Sequence, residues 1–320
     1  MILTVTPNPA LDCTWRVERL VPGDSHRVPT GAQRAGGKGI NVARVLTGAG
    51  LDAFALTTAG GHSGEMLAAD LRAAGIPHRL IPVAAATRRS IAAVDDATGE
   101  TTLLNEVGAA LAADESAALF AGARTLATGA DVTVISGSLP PGIDAGNVRA
   151  LVADIAASGV TTIADVTGPA LLAAAEAGAH VVKPNEVELR ETTGSTGVVA
   201  GARMLRDRGA GLVVVSLGAD GMLFVGGADP HAVLRARLPR RLRGNATGAG
   251  DAAVAAIAAV LAGRGTGATD LSHAELVELA RAAVAWSASA VLMPLAGELS
   301  PEREQLATDV IFDTDIRDLT

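Results

Sequence analysis

The sequence predicts an α/β fold: a doubly wound, mostly parallel sheet flanked by helices, with a small antiparallel β lid. Three observations carry this expectation. Short, nearly continuous apolar runs recur at "ILTV" (2–5), "VTVIS" (132–136), "TTIAD" (161–165), "HVVK" (180–183) and "LVVVS" (212–216). Between them lie segments with helical spacing, such as "AGNVRALVADIAASG" (145–159) and "VAGARMLRDRGAG" (199–211). Strands that are apolar on both faces and alternate with helices belong to parallel sheets covered on both sides, and right-handed crossovers wind them doubly. The third observation is a pair of stretches, 12–35 and 88–107, that alternate apolar with polar residues and lack helical periodicity. An "ATGE" turn divides the second, as in a hairpin. These two stretches are expected to form the lid; the simpler alternative is a pair of surface hairpins.

The 320-residue length suits one large α/β domain or two ordinary ones. No internal repeat, low-complexity tail or long linker divides the chain, so one domain over 1–320 with the lid inserted is expected. The composition is 49% hydrophobic, much of it alanine. The longest apolar runs, 252–263 and 282–297, are short for a membrane span, and the second contains Ser287, Ser289 and Pro294. Buried helices explain them better. The opening "MILTVTPNPALD" has no basic leader, so no secretory signal is expected. Cys13 is the sole cysteine, which excludes an internal disulfide and a cysteine-cluster zinc site and suits a cytoplasmic location. A formal charge of −8 offers no overall attraction to nucleic acid or an anionic membrane. An anionic ligand must therefore be held by local basic groups and helix ends.

Two glycine-rich stretches carry the chemistry. "AGGKGINVARVL" (35–46) invites comparison with phosphate loops, but Lys38 is followed by Gly39 where a Walker loop needs Ser or Thr. As a dinucleotide fingerprint it fails too, because Val42 stands where the third glycine belongs. The stretch "GNATGAGDAAVAAIAAVLAG" (244–263) runs a turn at 247–250 into a helix that is apolar all round. Open N–H groups and the helix dipole at such a start favour an anion. Asp251, at the mouth of that site, could simply cap the helix. With a glycine nest before it and a buried helix behind it, Asp251 also suits activation of a hydroxyl for attack on a phosphoryl group.

Taken together, "TGAGD" (247–251) and "AGGKGINVAR" (35–44) resemble the two signature regions of the PfkB family of carbohydrate kinases, which have a ribokinase-like fold. "TVTPNPALD" (4–12), "ISGSLPPG" (135–142), "VKPNEVEL" (182–189) and "VSLGADG" (215–221) look like family blocks in the same order, so the resemblance covers nearly the whole chain. It is closest to the branch that phosphorylates ketohexose phosphates. This implies ATP-dependent conversion of fructose 1-phosphate to fructose 1,6-bisphosphate. Tagatose 6-phosphate, fructose 6-phosphate and an unphosphorylated sugar are the alternative acceptors. An intact "GAGD" argues against a non-catalytic sugar-sensing scaffold.

The resemblance also implies residue roles. Asp251 would be the catalytic base, and the N–H groups of Gly248, Ala249 and Gly250 would stabilise charge on the transferring phosphoryl. Asp12 and Asn41 would hold sugar hydroxyls, with Gly36 and Gly37 letting the backbone lie against the sugar. For Asp12 a plain turn role is the alternative. Lys38 and Arg88 would supply positive charge, Arg88 taking the phosphate already on the sugar; Arg89 is its alternative and Arg27 a further lid candidate. Ser138 would contact substrate, although "SLPPG" is also an ordinary turn. On the nucleotide side, Asn185 and Glu188 would place Mg2+, directly or through water. A helix start after Pro184 would account for the same pair without metal. Lys183 would reach a phosphate, while Ser216, Gly218, Gly221 and Thr247 would line the nucleotide pocket. The chain departs from the family at Val107, where proline is common, and at Ser90, where asparagine is common. Its C-terminal segment aligns poorly, so no monovalent-cation site is assigned. Apart from the sugar phosphate and ATP, the expected partner is a second copy, joined through the lid.

Overall fold

Residues 1–264 and 270–313 are described by the structure, a computed structural model. The strands are β1 (Ile2–Thr6), β2 (Ala10–Val17), β3 (Ala32–Gly36), β4 (Ala53–Ala59), β5 (His78–Pro82), β6 (Arg88–Asp95), β7 (Thr101–Asn105), β8 (Val132–Ser136), β9 (Thr161–Asp165), β10 (Val181–Val182), β11 (Leu212–Ser216), β12 (Met222–Gly226), β13 (Val233–Arg237) and β14 (Ile311–Asp313). The helices are α1 (Lys38–Gly48), α2 (Gly61–Ala73), α3 (Ala113–Ala127), α4 (Ala145–Ala157), α5 (Pro169–Glu176), α6 (Glu186–Thr193), α7 (Val198–Asp207), α8 (Ala249–Arg264), α9 (His273–Val291) and α10 (Arg303–Asp309).

Ten strands form the main sheet in the order β14-β13-β12-β11-β10-β9-β8-β1-β4-β5. From β5 to β11 every pairing is parallel; β12, β13 and β14 add an antiparallel edge. Side-chain alternation sends Ile2, Val132 and Val134 to the face covered by α1, α8 and α9, and Leu3, Val5 and Ile135 to the face covered by α3, α4, α5 and α7. Both faces are dry, which is why these strands read as apolar runs. The apolar run at 252–263 lies within α8, with its residues buried from Asp251 to Ala258. It is sandwiched between α1, α9 and the sheet.

Strand order reverses at β1, between β4 and β8. In a doubly wound sheet the crevice for ligands opens beyond the carboxyl ends of the strands at such a point. The lid leaves the main sheet there. Its order is β3-β2-β6-β7, with β2–β3 and β6–β7 antiparallel and β2–β6 parallel. The middle pairing is parallel because β2 and β6 each climb out of the same edge of the main sheet, β2 after β1 and β6 after β5. The hairpin expected around "ATGE" is present. In the first stretch the strand begins at Ala10, and most of residues 18–31 form an irregular exposed connection. Leu103, Leu104 and Val107 are exposed at the far edge of the lid.

Candidate active site

The two glycine stretches each start a helix, and both helix N-termini meet at the switch point. Gly37 precedes α1 with φ +107°, and a Cβ there would lie 3.0 Å from Thr6 Cγ2 and 3.1 Å from Pro9 Cα. A Cβ on Gly36 would fall inside the Asp12 carboxylate. These glycines permit close approach to Asp12, Thr6 and Pro9. At the second turn Gly248 has φ +82°, and its Cβ position lies 2.8 Å from Ala296 Cβ. The N–H groups of Gly248 and Gly250 carry no hydrogen bond among the described residues, while that of Ala249 donates to the Ala246 carbonyl at 3.2 Å. Of the three expected donors, two are therefore open.

Asp251 is the third residue of α8 and is 6% exposed. Asn41, on the first turn of α1, donates from Nδ2 to Asp251 Oδ2 at 2.8 Å. The first glycine stretch therefore holds the carboxylate of the second. Burial pushes the Asp251 pKa up to about 6; Asp165 adds to this, and Asn41, Lys38 and Lys183 oppose it. A carboxylate poised near neutrality at an open helix start is suited to accept a proton from an incoming hydroxyl.

Asp165, at the end of β9, went unnoticed in the sequence. It is 1% exposed and accepts from Ser136 Oγ at 3.0 Å. Lys183 Nζ lies 3.3 Å from its Oδ1 and Lys38 Nζ lies 3.6 Å from the same oxygen. Burial works to raise the Asp165 pKa, but Lys183, Lys38 and the Ser136 hydroxyl outweigh it and hold the carboxyl below its ordinary value. Lys38 reaches Glu188 Oε1 at 3.6 Å as well, and the Asp165 charge drives its pKa upward. Lys38 is thus within ion-pair distance of both Asp165 and Glu188. The Lys183 ammonium stands 3.5 Å from the Cβ position of Gly250, beside the α8 start. The available signal was positional: a strand ending in Asp beside one ending in Ser at the carboxyl edge of the sheet.

On the lid, strand parity decides which residues face the crevice. Registers Ala10↔Arg88, Asp12↔Ser90 and Asp12↔Arg34 place Asp12, Arg34, Arg88 and Ser90 on one face. Arg89 falls on the other face and is exposed, so the alternation favours Arg88 over its neighbour. Burial pushes the Asp12 pKa up to about 6; Arg88 opposes this and Asp251 reinforces it. Asp12 and Asp251 thus feel one another across the crevice. The Arg88 guanidinium donates to the Asn8 carbonyl at 3.2 and 3.3 Å and to the Glu106 carbonyl at 3.0 Å. Asn8, also unnoticed in the sequence, is buried and donates to Ser138 Oγ at 3.1 Å and to the Val107 carbonyl at 3.0 Å. It ties the end of β1, the lid and the "SGSLPPG" loop together. Arg27 is exposed in the connection between β2 and β3 and has no ion-pair partner among the described residues.

On the other side of α8 a cavity of ≈ 390 Å³ opens, lined by Asn185, Ser216, Gly218, Gly221, Ala249 and Gly250 among others. Four of the expected nucleotide-side residues thus come together there. Thr247 is exposed on the adjoining turn, where its N–H donates to Asn245 Oδ1 at 3.0 Å. Asn185 caps α6: its Oδ1 accepts from Glu188 N and Glu188 Oε2 accepts from Asn185 N, both at 2.8 Å. The reciprocal box, the alternative read from the sequence, is therefore present. Glu188 Oε1 stays outside the box and turns to Lys38. No group of three or more His, Cys, Asp or Glu side chains that could hold a metal occurs among the described residues. No helix among them is long and apolar enough to cross a membrane.

Comparison with known proteins bears on this geometry. The model of the pfkB family carbohydrate kinases matches residues 9–303. The chain is 36% identical to a 1-phosphofructokinase of Xanthomonas campestris pv. campestris over 320 residues, 97% of each chain. It is 38% identical over 262 residues to an ATP-dependent 6-phosphofructokinase isozyme 2 of Mycobacterium tuberculosis, covering 80% of this chain and 76% of the relative. Among solved structures, phosphofructokinase-2 from Escherichia coli in complex with fructose-6-phosphate superposes with a TM-score of 0.84 at 30% identity, over 96% of this chain and 98% of the other.

Proposed function

The chain belongs to the pfkB family of carbohydrate kinases, and from that premise we propose that it transfers the γ-phosphoryl of ATP to the free primary hydroxyl of fructose 1-phosphate, giving fructose 1,6-bisphosphate and ADP. The observation that carries the reading is the placing of Asp251 at the open start of α8, held by Asn41 and facing the Asp12–Arg88 face of the lid. The sugar hydroxyl gives its proton to Asp251 as its oxygen bonds to the γ-phosphorus. The bond from that phosphorus to the bridging oxygen breaks, and ADP leaves with the electron pair. The open N–H groups of Gly248 and Gly250, with Lys183 beside them, face the charge that develops on the transferring group. Asp12 accepts from sugar hydroxyls, and Arg88 and the lid cover the far end of the sugar. Closing that face excludes water and limits hydrolysis of ATP.

Fructose 1-phosphate and fructose 6-phosphate each carry a phosphate at one end and a primary hydroxyl at the other, so a cradle facing a lid arginine accommodates both. Identity of 36% across 97% of both chains with a relative named for the 1-phosphate favours the first. The 6-phosphate is the second reading, favoured by the Mycobacterium tuberculosis and Escherichia coli relatives. A coupled assay with fructose 1-phosphate, fructose 6-phosphate, tagatose 6-phosphate and free fructose separates them. The expected result is the highest kcat/KM with fructose 1-phosphate. A higher value with fructose 6-phosphate installs the second reading, and turnover of free fructose alone removes both.

The ≈ 390 Å³ cavity beside α8 would take the nucleotide, with Ser216, Gly218 and Gly221 offering mainly backbone to it. Magnesium fits the donors only as an ion carried by the nucleotide. Asn185 and Glu188, through Glu188 Oε1 and water, would hold it, consistent with the preference of Mg2+ for few carboxylates plus phosphates. When bound it neutralises phosphate charge. We also take the chain to be one kinase domain with an inserted lid, working in the cytoplasm. Among the described residues edge strands β3 and β7 lack an outer partner, and Leu104 is 63% and Val107 76% exposed, which supports a homodimer joined through the lids. Sedimentation should then give twice the chain mass; a monomer at micromolar concentration would remove the dimer.

A further inference from the structure

The chain has 26 basic Lys and Arg residues, of which only Lys38 and Lys183 are lysines. Both ammonium nitrogens lie within ion-pair distance of the same buried carboxylate oxygen, Asp165 Oδ1, at 3.6 and 3.3 Å, and neither forms a hydrogen bond with it. Everywhere else the chain uses arginine. An ammonium is a compact point charge, whereas a guanidinium is a broad planar fork. The two cations whose charge acts on Asp251 at the α8 start are both of the compact kind. Lys38 arrives from the first glycine stretch and Lys183 from the segment after β10. The other oxygen of Asp165 is held by Ser136.

We infer that Asp165 is a positioning residue for the transfer, clamping both lysines of the chain beside the phosphoryl cradle. The inference rests on the kinase reading and adds to it a residue with no other role there. The geometry supports a working clamp rather than an ordinary buried ion pair in two respects. Lys183 is 5% exposed and stands next to Gly250, whose N–H is open. Lys38 is still 37% exposed and feels the Asp251 charge, so one of the two cations stays accessible beside the base. Without Asp165, two like charges would repel one another at the cradle, and each would find a new orientation. A displacement of about 1 Å at a reacting centre costs on the order of 10²-fold in rate.

Asp165 also acts on the base through space. The groups facing Asp251 are Asn41 and Lys38 from α1, Asp165 from β9, Lys183 after β10 and Asp12 from β2. The Asp165 charge raises the Asp251 pKa, so its neutralisation lets Asp251 ionise at lower pH.

The test is Asp165→Asn, read in two independent ways. Selective ¹³C labelling of lysine gives two Cε resonances in this chain, and both should move in the variant. A resonance that stays in place overturns the three-way clamp, whatever the enzyme's activity. In steady state with the best acceptor from the substrate panel, kcat should fall by about 10²-fold. KM for the sugar phosphate should hold within about threefold, and the acid limb of kcat should move to lower pH. A kcat near wild type, or an unmoved acid limb, overturns the positioning role. If Asp165→Asn does not fold, Ser136→Ala removes only the hydroxyl on the other oxygen. It should lower kcat by about tenfold, and wild-type turnover in that variant would overturn the role. A wild-type protein that transfers no phosphoryl group yet shows both lysine shifts would retire the kinase reading and leave the clamp standing.

Discussion

Asp251→Asn should keep its affinity for ATP and for the sugar phosphate and lose turnover by about 10²–10⁴-fold, the usual contribution of a positioned general base. The substitution is nearly isosteric, so α8 keeps its start and its packing. What is lost is the ability to accept a proton. Asn41 Nδ2 already donates to the carboxylate, and an amide oxygen at the same position keeps that bond, though a weaker one for want of charge. Binding and fold therefore have little reason to change, which makes the kcat effect interpretable. The wild-type pH profile should agree. Burial raises the Asp251 pKa to about 6, and the base works only when ionised, so turnover should fall as pH drops through that value. Asp12 is also raised to about 6 and repels Asp251, so the observed limb belongs to the pair. Turnover of Asp251→Asn within a few-fold of wild type would end the assignment of Asp251 as base.

Arg88→Ala should weaken the sugar phosphate by about 10²-fold in KM, in line with the loss of one partner from a desolvated, hydrogen-bonded charge pair. Binding of ATP should be much less affected. Arg88 is half-buried, and its pKa is lowered by that burial, with Asp12 and Glu106 working the other way. It also braces the Asn8 and Glu106 carbonyls, so removing it could loosen the lid as well as the phosphate site. Arg88→Lys separates the two effects, because it keeps a cation and loses the fork. An intermediate KM is expected there. Calorimetric titration showing unchanged sugar-phosphate affinity in both variants would take Arg88 out of the phosphate site.

Much of the fold was legible because it rests on local rules. The runs at 2–5, 132–136, 161–165 and 212–216 are β1, β8, β9 and β11 almost to the residue, since strands covered on both faces have no polar alternation to confuse them. The run at 180–183 became a strand of two residues: the Lys183 N–H still donates to the Ala164 carbonyl, but Pro184 follows and has no N–H to continue the ladder. The "ATGE" hairpin was legible from its turn chemistry. The parallel middle of the lid was not, because the direction of β2 relative to β6 depends on where each leaves the main sheet.

The site divides along the same line. Asp251 and Asn185 were readable because each sits at a helix start marked by glycine or proline, whereas Asp12, inside β2, was named only through the family resemblance. Asp165 and Asn8 were missed because neither has a local signature. Asp165 matters through Lys38, Lys183 and Ser136, and Asn8 through Arg88, Ser138 and the Val107 carbonyl, all distant in sequence.

By itself the sequence determined the α/β alternation, the two helix starts built on glycine and the acidic residue at the second of them. Those features follow from backbone freedom, apolar periodicity and the open N–H groups of a helix end, which are properties of short segments. Only the tertiary structure decided that Asn41 holds Asp251, that Arg88 rather than Arg89 faces the crevice, and that both lysines meet on Asp165. Strand parity and the convergence of strand ends at the switch point bring these groups together, and neither exists until the sheet has formed.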